Sequence, residues 1–197
     1  KAYGDRVEVR ARAAAAAASD ARMSGCELPV VINSGSGNQG LAASLPVIEY
    51  AKELNCSKER LYRALVLSNL IAIHLKTGVG RLSAYCGAVS AGSGAGCGIA
   101  WLKGADFKAI AHTLVNSLAI VSGIVCDGAK PSCAAKIAAS VDAGILGYSM
   151  YLNGQQFYGG DGIVSKGVEN TIRNIGRLGK DGMKETDREI IRIMTEC

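Results

Sequence analysis

The sequence predicts an all-α protein: a helical bundle with buried Ala/Gly-rich helices and Gly-rich loops. Three observations carry that prediction. Proline occurs only at Pro29, Pro46 and Pro131, which favours long helices over many short strands. Aromatics make up 5% of the 197 residues while Gly counts 25. The apolar half is therefore mostly Ala, Ile, Leu and Val, which suits closely approaching helices. No stretch alternates apolar and polar residues as a half-buried strand does.

Each element has its own signal. Residues 5–24 read as a helix with an Ala-rich centre, Ala13 to Ala18, stopped near Gly25. A short apolar stretch, Leu28 to Ile32, leads into a Gly/Ser/Asn loop from Asn33 to Gly40. Residues 41–54 read as helical, with Pro46 either early in the helix or kinking it. Ser57 is an N-cap for a helix running to about Thr77 and closed by Gly78. From Leu82 to Leu102 there are 21 uncharged residues, long enough to span a bilayer. Gly87, Gly92, Gly94, Gly96 and Gly98 argue instead for a buried small-residue helix or a helix–loop–helix. Asp106 caps a further helix to about Val125, packed on all sides and interrupted by His112, Asn116, Ser117 and Ser122. Pro131 marks a helix start, and apolar residues run on to about Leu152. Residues 153–162 form a loop. Two amphipathic helices, 163–178 and 184–196, finish the chain, and Thr186 with Glu189 matches a capping box for the second.

Charge narrows the function. The net charge is +5, and four of those five excess charges fall within residues 28–150. A mild central excess suits a small anionic ligand or cofactor, or is simply a basic solvated surface. It is too scattered for nucleic acid. The chain opens with charged residues and no early apolar run, so no signal peptide is read and a cytoplasmic location is expected. It begins at Lys1, which reads as a fragment or a processed chain. Without a secretory signal, the seven cysteines disfavour a disulfide framework.

Gly35-Ser-Gly37-Asn-Gln-Gly40 fits a dinucleotide fingerprint literally. No second strand with an acidic end follows, so that reading is set aside. A Gly-rich turn feeding a helix still presents backbone N–H groups and the positive end of the helix dipole. With Ser34, Ser36, Asn38 and Gln39 it suits a small carboxylate; the alternative is a tight connector.

Cys126 and Cys133 stand seven apart around a loop with Gly128 and Pro131, and Cys86 lies 40 residues upstream at a Gly-rich break. Three thiolates from two loops suit an iron–sulfur cluster. Zinc fits less well, for want of close C-x-x-C pairs. Buried inert thiols are the alternative, and Cys26, Cys56 and Cys97 are read that way.

Five segments together resemble a family. They are Ala-Ser-Asp-Ala-Arg-Met (18–23), Asn-Ser-Gly-Ser-Gly-Asn-Gln-Gly (33–40), Arg-Leu-Ser-Ala-Tyr-Cys (81–86), Cys-Asp-Gly-Ala-x-x-Ser-Cys (126–133) and Thr-Asp-Arg-Glu-Ile-Ile (186–191). In order and across almost the whole chain, they resemble the C-terminal part of the iron–sulfur L-cysteine desulfidases, relatives of the serine dehydratase alpha chain. The resemblance implies one all-helical domain over 1–197 and a [4Fe–4S] cluster on Cys86, Cys126 and Cys133. It implies a lyase that takes L-cysteine to pyruvate, ammonia and sulfide, with L-serine dehydration, or a non-catalytic cluster-binding fragment, as alternatives. The short step from Cys126 to Cys133 favours the desulfidase branch.

The same resemblance places the catalytic base in a segment N-terminal to this sequence, so the fragment alone is expected to be inactive. The substrate-binding set is then Ser34, Gly35, Ser36, Gly37, Asn38, Gln39 and Arg81. Arg81 also helps to offset the cluster's charge, or is a helix-terminal surface charge. Cys197 is either a fourth ligand folding back onto the open iron or a frayed end. His74 and His112 read as satisfied core histidines. The expected partner is a small amino acid, with no nucleic acid and no membrane, and the small-residue helices are compatible with a homodimer.

Overall fold

A computed structural model describes residues 3–196. Cys197, the proposed fourth ligand, lies outside the described residues. Eight α-helices run in order: α1 (Val7–Met23), α2 (Gly37–Glu53), α3 (Lys58–Val79), α4 (Gly87–Leu102), α5 (Phe107–Ile120), α6 (Cys133–Leu152), α7 (Val168–Arg177) and α8 (Lys184–Thr195). A π-helical turn, Leu178–Gly182, joins the last two. Among the described residues there is no strand, only two isolated bridges. The all-α class is what the sequence predicted.

Helix α4 is the axle. It packs against α2, α3, α5 and α6, while α1 covers α2 and α6 and α7 lies on α3 and α5. Every residue of α4 except Trp101 is buried. Its glycines are the reason. A Cβ on Gly96 would stand 2.6 Å from the Gly144 Cα of α6, and one on Gly94 would stand 2.4 Å from the Ser68 carbonyl of α3. Backbones this close leave room only for hydrogen. Some buried hydroxyls pair locally, Ser93 with Ser117 (2.7 Å) and Ser68 donating to the Ala43 carbonyl (2.6 Å), while Ser19, Ser90 and the Tyr85 hydroxyl have no partner among the described residues. Asn116 donates to the Gly147 carbonyl at 3.0 Å and accepts from the Phe157 N–H at 3.0 Å. Such pairing is what lets polar groups sit in a core. No helix among the described residues is long and apolar enough to cross a membrane.

Several boundaries differ from the sequence reading. Helix α2 starts at Gly37, inside the predicted loop, so Pro46 is mid-helix and buried. Helix α3 continues through Gly78 to Gly80, which takes the left-handed φ of 92°. Gly78 instead makes room for Gly176 of α7. The caps at Ser57 and Asp106 form as predicted, accepting from the N–H groups of Arg60 (3.2 Å) and Ala109 (2.8 Å). Helix α5 ends at Ile120, five residues early, and α6 starts two residues after Pro131. Residues 163–167 are not helical, and α7 begins at Val168. The capping box fails: α8 starts at Lys184, so Thr186 is already inside it and Glu189 pairs with Arg192 (2.6 Å).

Candidate functional site

Two short backbone pairings build the site. The Cys86 N–H donates to the Ile124 carbonyl (3.2 Å), and the Cys126 N–H donates to the Ala84 carbonyl (2.7 Å). This antiparallel bridge between Tyr85 and Val125 sets Cys86 beside Cys126, although 40 residues separate them in sequence. Cys86 caps the N-terminus of α4, and Cys133 is the first residue of α6. Both thiols thus sit at the positive ends of helix dipoles, where a thiolate is favoured.

All three cysteines line one cavity of about 90 Å³, with Ser36, Asn38, Gln39 and Lys136 among its other walls. The Cys86 and Cys126 thiols are hydrogen-bond neighbours, with the thiolate favoured at Cys126 and disfavoured at Cys86. The Cys126 pKa falls because Cys86 donates to its sulfur, the Gly128 N–H adds a second donor, and Lys136 and Lys76 add positive charge. The Cys86 pKa rises because Cys126 is its partner and because it is buried. Lys136, one helical turn after Cys133, donates to the Val125 carbonyl (2.9 Å) and pairs with Asp127. Lys130 grips the same carboxylate at 2.6 Å, and together they hold the Asp127 pKa down at about 2. The loop between Cys126 and Cys133 is tied down by its own charges.

The Gly-rich loop forms a tight turn. Ser34 and Gly35 both take positive φ, 50° and 86°, and Asn33 and Ser36 exchange backbone bonds of 3.2 and 3.0 Å. Ser36 then caps α2, accepting from the Gln39 N–H at 3.4 Å. Gln39 packs against Gly87, where a Cβ would meet its amide at 2.5 Å, and the buried Gln39 Oε1 has no hydrogen-bond partner. Arg22 donates to Asn38 Oδ1 at 3.1 Å.

The seven sequence-derived loop and arginine candidates therefore divide. Ser36, Asn38 and Gln39 face the thiols, while Ser34 and Arg81 line a second cavity. Gly35 is exposed, and Gly37 is buried against Val30 and Arg22. Sequence reasoning missed Lys136 and Lys76. The signal for Lys136 was its three-residue spacing from Cys133; Lys76 looked like an ordinary cation in a last helical turn.

The remaining candidates lie elsewhere. Cys97 is fully buried in α4, but Cys26 is exposed and so is not the packing residue expected. His74 is not a core histidine either: it is exposed and meets Glu169 at 2.9 Å. The His112 ring stacks on Tyr151 with Nδ1 buried and unpartnered, so its polar atom is not satisfied as expected. It borders a separate cavity of about 470 Å³ beside Phe107, Phe157 and Tyr158. Among the described residues no three or more His, Cys, Asp or Glu side chains are gathered to hold a metal ion.

A family model described as serine dehydratase alpha chain matches residues 1–192. Curated relatives carry the name UPF0597 protein. That of Desulfitobacterium hafniense is 74% identical over 98% of this chain and 45% of its own length. Those of Lachnoclostridium phytofermentans and Finegoldia magna are 59% and 53% identical, each over 98% of this chain and 46% of its own length. The chain thus spans about half the length of the curated relatives it matches. No solved structure matches it.

Proposed function

Because the chain belongs to the serine dehydratase alpha-chain family, we propose that it is the cluster-binding part of an iron–sulfur amino-acid lyase. The reaction is elimination of hydrogen sulfide from L-cysteine to give pyruvate and ammonia. The 197 residues act in it as one helical domain. The observation that carries this reading is the convergence of Cys86, Cys126 and Cys133 on one cavity with the N-terminus of α2 as another wall.

The residues present suit a [4Fe–4S] cluster. Cys86, Cys126 and Cys133 line one cavity, and three thiolates from two loops are a donor set that iron–sulfur clusters take. Cys86, Cys126 and Cys133 would hold the cluster. When bound, it would supply an iron without a protein thiolate, a Lewis acid for the β-substituent of the amino acid.

The chain's own residues do the rest. The Ala88 and Gly128 N–H groups donate to the sulfurs of Cys86 and Cys126, and Lys136 and Lys76 offset negative charge there. Lys136 and Lys130 fix Asp127 and with it the loop that carries Cys126 and Cys133. Substrate is held by the set Ser34, Gly35, Ser36, Gly37, Asn38, Gln39 and Arg81. Within that set, the unpartnered Gln39 Oε1 is an acceptor for the amino acid's ammonium. The base that removes the α-proton belongs to the remainder of the longer protein. His74 and His112 do not line the thiol cavity. Loss of the proton and of the β-thiol leaves an enamine, which tautomerises and is hydrolysed to pyruvate and ammonia.

L-Serine dehydration is the second reading, favoured by the description of the matching family. Anaerobic reconstitution with iron and sulfide tests the shared premise. About four irons per chain, and none in a Cys86/Cys126/Cys133 triple-Ala variant, is the expected result. No uptake by the full-length protein overturns it. Turnover of L-cysteine against L-serine then separates the two substrates.

A further inference from the structure

Beside the thiols lies a second cavity of about 480 Å³, lined by Ser34, Ile73, Lys76, Thr77, Gly80 and Arg81. It forms where the Ser34–Gly35 turn meets the end of α3. Gly80, with its φ of 92°, turns the chain so that Arg81 comes back to this wall. A cation near a helix C-terminus is ordinary in itself, because the last carbonyls carry partial negative charge. Arg81 is exposed and needs no further account.

Lys76 does. It is only 5% exposed, yet its ammonium has no hydrogen bond or ion pair with any described residue. Lysine is rarely buried this far, and because its Nζ is not among the enclosed unpartnered atoms, the ammonium opens on this cavity. Its electrostatic neighbours are the Cys126 and Cys86 sulfurs, which belong to the thiol cavity. Lys76 lines the second cavity and is within electrostatic reach of the thiols. No Asp or Glu lines that cavity.

We propose that Lys76 and Arg81 form the carboxylate subsite of the amino-acid substrate, an assignment that rests on the lyase reading above. Two cations line one cavity free of carboxylates, so a single carboxylate can meet both. The Ser34 hydroxyl already donates to Asn33 Oδ1 at 2.9 Å, so its lone pairs are left for the α-ammonium. The unpartnered Gln39 Oε1 in the thiol cavity is a second acceptor for that group. The β-substituent is then directed to the thiols. This divides the loop's work: α2 serves the thiol side, and the α3 terminus holds the carboxylate.

The test uses the full-length protein in its iron-free state, with L-alanine as probe. L-Alanine has the carboxylate and ammonium but no leaving group. Calorimetry should show L-alanine binding and no binding of ethylamine, which lacks the carboxylate. Lys76→Met should weaken L-alanine at least tenfold, Arg81→Met should weaken it too, and Lys76→Arg should weaken it less than Lys76→Met. Unchanged L-alanine affinity in both Met variants overturns the subsite, even if iron loads normally. Sulfate binding that depends on Lys76, without L-alanine binding, also overturns it and leaves a general anion site. Lys76-dependent L-alanine binding in a protein that takes up no iron supports the subsite while the cluster reading fails. If Lys76→Met does not fold, the exposed Arg81→Met decides.

Discussion

Cys97 and the thiols of the two loops are the same side chain placed in opposite settings. Cys97 lies mid-helix in α4, fully buried, with only a weak contact from Sγ to the Ile110 carbonyl at 3.8 Å. Burial alone pushes its pKa up to about 12. Cys86, Cys126 and Cys133 sit at helix starts or on a loop, share a cavity, and have lysines and backbone N–H groups around them. The burial of Cys86 is nearly as deep, at 7% exposure. Depth therefore does not separate the two kinds of cysteine. What separates them is whether donors and charge converge on the sulfur. A thiol inside a regular helix has its neighbours' N–H groups already committed to the ladder. A thiol at a helix start has them free.

The contrast breaks most visibly on metal. Replacing Cys86, Cys126 or Cys133 singly with Ala should reduce iron after reconstitution from about four per chain to none, whereas Cys97→Ala should keep the full complement. A Cys97→Ala protein without iron, or a single loop variant with a full cluster, erases the distinction.

The second effect is on folding. Gly96→Ala sets a methyl against the Gly144 backbone, and should cost about 1–3 kcal/mol or more in urea unfolding. Gly35→Ala, where a Cβ meets nothing within 4 Å but φ is 86°, should cost about 1 kcal/mol. Equal costs would mean that α4 relaxes away from α6.

Thiol reactivity of the iron-free protein sharpens the comparison further. The Cys126 pKa is lowered, so its thiolate persists to lower pH than an ordinary thiol's; that of Cys97 is raised and appears only at high pH. At pH 7 iodoacetamide should label Cys126 on the order of a hundredfold faster than Cys97, read by peptide mass spectrometry across a pH series. Lys136→Met should slow Cys126 labelling, because a cation that lowers its pKa is gone.

The smallest effect concerns Asp127, whose folded-state pKa is depressed by Lys130 and Lys136. A depressed carboxyl stabilises the fold above the ordinary carboxylate range, and the contribution is lost as pH falls toward about 2. Asp127→Asn should cost up to about 1 kcal/mol at pH 7, since these are partly exposed pairs, and nothing at the acid limit. A cost that persists in acid would point to the loop's hydrogen bonds instead of its charge.

Much of the fold was legible because its signals are local. Ser57 and Asp106 announced their helices by capping chemistry, and the uncharged run around α4 announced burial. The errors came where a tertiary partner overrode a local rule. Gly78 reads as a terminator, yet α3 passes through it, and it is Gly176 of α7 whose Cβ would crowd the Gly78 backbone at 3.1 Å. Gly37 and Gly40 read as loop, yet they open α2, with Gly40 lying against the Val31 carbonyl. The three cysteines were singled out by type and spacing and by family resemblance. Lys76 was invisible, because its burial comes from elements distant in sequence that pack against α3.

The sequence by itself determined the class of this protein, the positions of its helix starts at Ser57 and Asp106, and the small-residue axle. These follow from backbone hydrogen bonding and side-chain volume within a few residues. Only the tertiary structure decided which thiols meet, and which lysine lies buried beside them. Those properties depend on distances between groups far apart in the chain, and the Tyr85–Val125 bridge and the burial of Lys76 set them.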